Sequence, residues 1–94
     1  MRTLIWGKTF VRALRRTIKK HPASQGDIEE VLRLLQEDPF APPLATHRLK
    51  GKLAGCWACS AGYNLRIVFE FVKQPTGRED DILLLEIGTH EEVY

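Results

Sequence analysis

Two histidines far apart in the sequence each stand in a chemically loaded stretch. His47 is followed by Arg48, Lys50 and Lys52, and His90 lies within Gly88-Thr89-His90-Glu91-Glu92-Val93-Tyr94. Histidine is the side chain whose ordinary titration falls near neutrality, so one imidazole can take a proton and another can return one at physiological pH. Arg66 sits in the most regular alternating stretch of the chain, where Leu65, Ile67, Phe69 and Phe71 occupy one face and Arg66 the other. A base, an acid and cations able to hold a developing phosphorane charge are what metal-free RNA scission by the 2′-hydroxyl requires. That chemistry needs His47, Arg66 and His90 on one concave surface. Taken singly, each histidine is an ordinary solvated imidazole, and His21 beside Pro22 reads as a helix-terminus residue.

The cysteines carry a weaker signal. Cys56 and Cys59 have the spacing of a redox motif or of half a zinc site. A zinc site would have to borrow His47 and His90, and the two thiols fall on opposite faces of an expected strand. They read as structural, one in the core and one near the surface, and no metal or cofactor is expected. Two cysteines with no export signal also suit a reducing cytoplasm.

The elements that must position these groups can be read from periodicity. Thr3 to Trp6 reads as a first strand ending at Gly7. Phe10, Val11, Leu14 and Ile18 then recur at helical spacing, with Lys8, Arg12, Arg15, Arg16, Lys19 and Lys20 on the remaining arc, until Pro22 stops the helix. A second helix carries Ile28, Val31, Leu32 and Leu35, with N-cap candidates from Ser24 to Asp27 and Pro39 at its end. From Phe40 to Ala45, Pro42 and Pro43 predict an extended connector. Short strands over Thr46 to Leu49 and Cys56 to Ser60, a turn from Gly51 to Gly55, and a hairpin of Leu65 to Val72 with Ile82 to Ile87 across a 73–80 loop complete the chain. The class is α+β: an N-terminal strand and a helical hairpin packed on a mostly antiparallel, twisted sheet of four to five strands.

The chain has 94 residues, 14 Lys and Arg against 12 Asp and Glu, and 44% apolar residues, which suits one domain, residues 1–94, around one core. The longest apolar run, Ile82-Leu83-Leu84-Leu85, is too short to span a bilayer, so no membrane association is expected. The nominal charge of +2 conceals blocks. Residues 1–26 hold seven bases and no acid, residues 27–46 hold five acids against Arg33, residues 47–73 hold five bases against Glu70, and residues 74–94 hold six acids against Arg78. A bipolar surface is predicted, its cationic side facing a phosphate-bearing partner.

Three segments carry a resemblance. His47-Arg48-Leu49-Lys50-Gly51 resembles a basic "H/K-x-L-x-G" stretch, Leu65-Arg66-Ile67-Val68-Phe69 an "R-[LI]-[VI]-[YF]" strand, and Ile87 to Tyr94 a closing "G-x-H-x-x-[VL]-[YF]" motif. In this order, behind a β-α-α start, they resemble the RelE/ParE superfamily of bacterial type II toxins, and within it the RelE-like, YafQ-like mRNA interferases. The resemblance implies a RelE-like fold and a ribosome-dependent endoribonuclease that cleaves translated mRNA. It also implies a partner antitoxin, through which alone operator DNA would be met. His47 and His90 match catalytic histidines, Arg66 the arginine on the scissile phosphate, Tyr94 the aromatic that contacts or orients the substrate, and Arg48, Lys50 and Lys52 the basic approach. Where the YafQ-like pattern has a further histidine and an aspartate, this sequence has Ser60 and Asn64, left as polar contacts to RNA. Proton transfer then falls on His47 and His90. Two other readings share the fold: a ParE-like inhibitor of DNA gyrase, and a degenerate, non-catalytic antitoxin-binding module.

Overall fold

The computed structural model describes residues 2–62, 64–76 and 79–94; Gly77 and Arg78 of the expected 73–80 loop lie outside them. The elements are β1 (Leu4–Trp6), α1 (Lys8–Lys20), α2 (Gln25–Glu37), β2 (His47–Arg48), β3 (Trp57–Ser60), β4 (Leu65–Val72), β5 (Asp81–Thr89) and a one-turn α3 (His90–Val93). One five-stranded sheet runs in the order β1-β5-β4-β3-β2. β2 to β5 pair antiparallel with their neighbours, and β1 lies parallel to β5, Leu4 opposite Ile82. The α+β class, the N-terminal strand and the β4–β5 hairpin are as predicted.

The helices cover one face. α1 presents the buried Phe10, Ala13 and Thr17, and α2 presents Ile28, Val31, Leu32 and Leu35. These meet the helix-facing row of the sheet, Cys59, Leu65, Ile67, Phe69, Leu84 and Ile87. Each large apolar side chain fully removed from water there contributes about 1.5–3 kcal/mol. α1 can start against the sheet because residue 7 is glycine. The Gly7 N–H donates to the Leu84 carbonyl at 3.2 Å, and a Cβ at that position would lie 2.7 Å from the same oxygen. Asp81 ties the N-terminus down, its carboxylate accepting from the Thr3 N–H at 3.1 Å and from Gln74.

Several boundaries differ from the sequence reading. Residues 40–45 are not simply extended. Pro42–Leu44 form a 3-10 turn that buries Leu44, and Ala45 follows in the left-handed region at φ 49°. Proline's fixed φ suits the opening of such a turn as well as an extended chain. β2 shrinks to His47–Arg48, since the Thr46 hydroxyl donates to the Pro39 carbonyl at 2.6 Å within the connector. Within the expected 51–55 turn, Gly51–Leu53 form a 3-10 turn. α2 starts at Gln25 with no side-chain cap from Ser24. β5 extends beyond Ile82 to Ile87 at both ends and runs directly into α3, which the sequence reading left out.

Candidate active site

Strand parity decides which groups can meet. Residues directly opposite in adjacent strands share a face. His47 is opposite Ala58 and Ala58 opposite Val68, while Ser60 is opposite Arg66 and Arg66 opposite Gly88. These residues therefore lie on the face away from α1 and α2. Arg48, opposite Trp57, lies on the helix side.

His47 is oriented by its own connector. Its Nδ1 lies 3.1 Å from the Ala45 carbonyl oxygen. A carbonyl can only accept, so Nδ1 is the donor in this contact and Nε2 is the ring nitrogen left for other work. Lys50 follows β2, and Lys52 sits on the 3-10 turn over Gly51–Leu53.

α3 brings in the other half. Thr89 is its N-cap: the Glu92 N–H donates to the Thr89 hydroxyl at 3.3 Å, and the Thr89 N–H donates to the Glu92 carboxylate at 2.8 Å. This reciprocal pair is a capping box, and the signal, Thr89-x-x-Glu92, is legible in the sequence. Glu92 also pairs with Lys20 of α1 at 3.3 Å. The Thr89 N–H and then Lys20 hold the Glu92 carboxyl below its ordinary range. α3 folds closely over Gly88, where an added Cβ would lie 3.0–3.1 Å from Glu92 atoms and 3.4 Å from Val93. The turn closes with the Tyr94 N–H on the His90 carbonyl at 3.1 Å, and the two rings meet edge to face, centroids 4.5 Å apart.

These pieces converge on one open cavity of about 510 Å³, lined by His47, Lys50, Lys52, His90 and Tyr94 together with Leu49 and Leu53. Among the described residues no Asp or Glu side chain is part of that lining. Arg66, expected on the same concave surface, is not part of that lining. Its Nη1 donates to the Leu65 carbonyl at 2.8 Å, and its charge reaches Tyr94. Burial pushes the Tyr94 hydroxyl up, with Arg66 pulling the other way, so the phenol is protonated at neutral pH and can donate. Ser60 lies beside Arg66 on the same face but does not line this cavity. Asn64, left-handed at φ 62°, lines a smaller depression of about 290 Å³ with Thr89, His90 and Glu91, so His90 stands between two hollows. Arg48 is absent from the first cavity; it stacks over Trp57 instead.

The charge pattern is partly bipolar. The main cavity is cationic, yet Glu91 sits on the far side of His90. On α2, Arg33 bonds Glu30 and Glu37 and so offsets part of that acidic block. Among the described residues no three His, Cys, Asp or Glu side chains gather as a metal-ligand set. Cys59 is buried and its thiol pushed up to about 12 by desolvation, whereas Cys56 is half-buried and raised by burial and then by Glu70. Both are thiols at neutral pH, one in the core and one near the surface.

Compared by sequence, the chain matches no protein-family model and no curated protein. Compared by structure, it is similar to a metal-bound toxin from Helicobacter pylori, 29% identical with a TM-score of 0.74 and all of both chains covered. It is also similar to YafQ from Escherichia coli, 11% identical with a TM-score of 0.79, over 100% of this chain and 99% of that one. YafQ in complex with DinJ, a toxin–antitoxin complex, matches over the same shares at 14% identity and a TM-score of 0.78. A YoeB/ParE toxin from Agrobacterium tumefaciens matches over 94% of this chain and 98% of that one at 20% identity and a TM-score of 0.74. With end-to-end coverage at these TM-scores, the chain has the RelE-like fold that these toxins share.

Proposed function

We propose that the protein is the toxin of a type II toxin–antitoxin pair and a metal-independent endoribonuclease acting on translated mRNA. The observation that carries this reading is the single cavity in which His47, His90, Tyr94, Lys50 and Lys52 meet. Nε2 of His47, the ring nitrogen that the Ala45 carbonyl does not engage, takes the proton of a ribose 2′-hydroxyl. The 2′-oxygen attacks the adjacent phosphorus, Lys50, Lys52 and Arg66 stabilise the added negative charge, and His90 gives a proton to the departing 5′-oxygen. The products are a 2′,3′-cyclic phosphate and a 5′-hydroxyl. Tyr94 holds the His90 ring edge-on and offers its hydroxyl to the substrate.

The fold shared with the DinJ–YafQ complex supports a small antitoxin as the protein partner, with operator DNA met only through it. The ribosome as the place of action and the cytoplasm as the compartment belong to the same proposal. Among the described residues no helix is long and apolar enough to cross a membrane.

The test is primer extension on a translated message after induced expression. Wild type should give discrete cuts with 5′-hydroxyl ends, abolished by a 2′-deoxy substitution at the cut. His47→Ala and His90→Ala should each lose about 10²- to 10⁴-fold in rate. DNA-damage signalling with intact messages would replace this reading by the gyrase-inhibitor one, and expression without growth arrest would leave an antitoxin-binding module.

A further inference from the structure

A second cavity, of about 500 Å³, lies beside the first and shares Leu49 and Lys50 with it. Its wall is made by Arg48, Cys56 and Trp57, with Ala54 and Gly55 leading into β3. The Arg48 guanidinium carbon stands 5.1 Å from the centre of the Trp57 ring. Phe40 and Phe71 each meet the Trp57 ring edge to face, at 5.4 and 5.5 Å between ring centres. Arg48 is itself exposed. The result is an exposed guanidinium over an aromatic ring on the helix side of β2, joined through Leu49 and Lys50 to the proposed cutting site on the other side.

Such a surface has a specific chemical use. Unpaired bases stack on aromatic rings and on guanidinium planes, and every base offers a π-face for it. Lys50 lines both cavities, so one phosphate at Lys50 would join a nucleotide in the first to a nucleotide in the second. Among the described residues no Asp or Glu side chain lines the second cavity, although Glu70 of β4 is close enough to Cys56 to raise its thiol. We propose that this cavity is a nucleotide subsite: the Arg48–Trp57 stack takes the base of a nucleotide neighbouring the one cut, and Lys50 holds the phosphate between them. The proposal rests on the RNA-cleavage reading and adds to it a residue, Trp57, that the sequence motifs do not single out.

Binding of short oligoribonucleotides, made uncleavable by a 2′-deoxy sugar at the cut, tests it by fluorescence anisotropy. One series carries the flanking nucleotide with its base and the other carries it abasic. Wild type should bind the complete series about tenfold more tightly. Arg48→Ala should lose most of that gain, and so should Arg48→Lys, which keeps the charge without the plane. In cleavage assays the loss should fall on KM rather than kcat. Since Arg48 is exposed, thermal melting should confirm that both variants are folded. A gain retained by Arg48→Lys, or equal affinities for the two series in wild type, would overturn the subsite while wild-type cutting continued. Weakened antitoxin binding by Arg48→Ala with unchanged RNA binding would assign the cavity to the antitoxin and sink the proposal. If wild type bound neither series and cut no message, the RNA reading itself would fail and the subsite with it.

Discussion

Removing one hydroxyl should loosen the half of the site that carries His90 and Tyr94. In Thr89→Ala the Glu92 N–H loses its acceptor at the start of α3. Loss of a threonine N-cap costs about 1 kcal/mol, which divides the ratio of formed to frayed α3 by about five. A one-turn helix has no reserve of its own to absorb this. The Lys20–Glu92 pair, with side chains 56% and 39% exposed, is too solvated to make up the difference. Global stability should change little, because Thr89 is the last residue of β5. Amide hydrogen exchange reads the effect where it arises. Exchange at Glu92 and Tyr94, whose N–H groups are bonded within this turn, should quicken about fivefold in Thr89→Ala and stay near wild type in Thr89→Ser. Cleavage should fall by no more than the same factor. If Thr89→Ser opened the turn as much as Thr89→Ala, or if neither changed exchange at Glu92 and Tyr94, α3 would not be held by its cap.

Acid should release the same turn. The Glu92 carboxyl is held below its ordinary value of 4.5, so its stabilising contribution is full above that value and disappears as pH falls through the depressed one. The Tyr94 amide resonance should therefore shift below about pH 4.5 in wild type, while Glu92→Gln shows no such step. Gly88→Val should displace α3, given the 3.0–3.1 Å a Cβ would have to Glu92, and should reproduce the exchange pattern of Thr89→Ala; unchanged exchange would mean α3 does not rest on that position. If Lys50 and Lys52 each meet a phosphate, replacing either with alanine should reduce the log–log salt dependence of RNA binding by about 0.7, and an unchanged slope would remove that lysine from the contact set. In the native protein a maleimide should modify Cys56 well before Cys59, whose thiol is buried and raised to about 12; equal rates, read by mass spectrometry, would contradict the packing.

What could be read from the sequence followed from strong periodicity. α1, α2 and β4 declared themselves through apolar positions at helical or alternate spacing; the α2 stripe is the one buried, whereas on α1 only Phe10 of the expected stripe is buried and the inward face turns to Ala13 and Thr17, and on β4 Val68 is buried on the opposite face as well. The meeting of His47 with His90 was an expectation that periodicity alone could not settle, because it depends on β3 and β4 carrying β2 across the sheet from β5. Two local features escaped for different reasons. α3 was announced by Thr89-x-x-Glu92, but with no apolar stripe to follow the cap it passed as a tail. Arg48 looked like a neighbour of His47 in function because it is one in sequence. Strand alternation sends the two to opposite faces, and Trp57, opposite Arg48, is what receives it.

The place of β5 in the sheet sets the order in which the molecule can assemble. β1 is made first, yet its ladder partner in β5 is 78 positions away, and β5 is also the partner of β4. Until β5 docks, β1 has no strand beside it, Asp81 cannot receive the Thr3 N–H, and α3 has nothing to fold over. Closing so long a loop costs entropy that few local contacts repay in advance, so folding is governed by non-local pairing. The N-terminal strand and the turn bearing His90 and Tyr94 both depend on β5 being in place. A chain interrupted inside β5 would lack the strand that pairs both β1 and β4, and with it His90 and Tyr94. The cavity between His47 and His90 therefore cannot exist before β5 is in place.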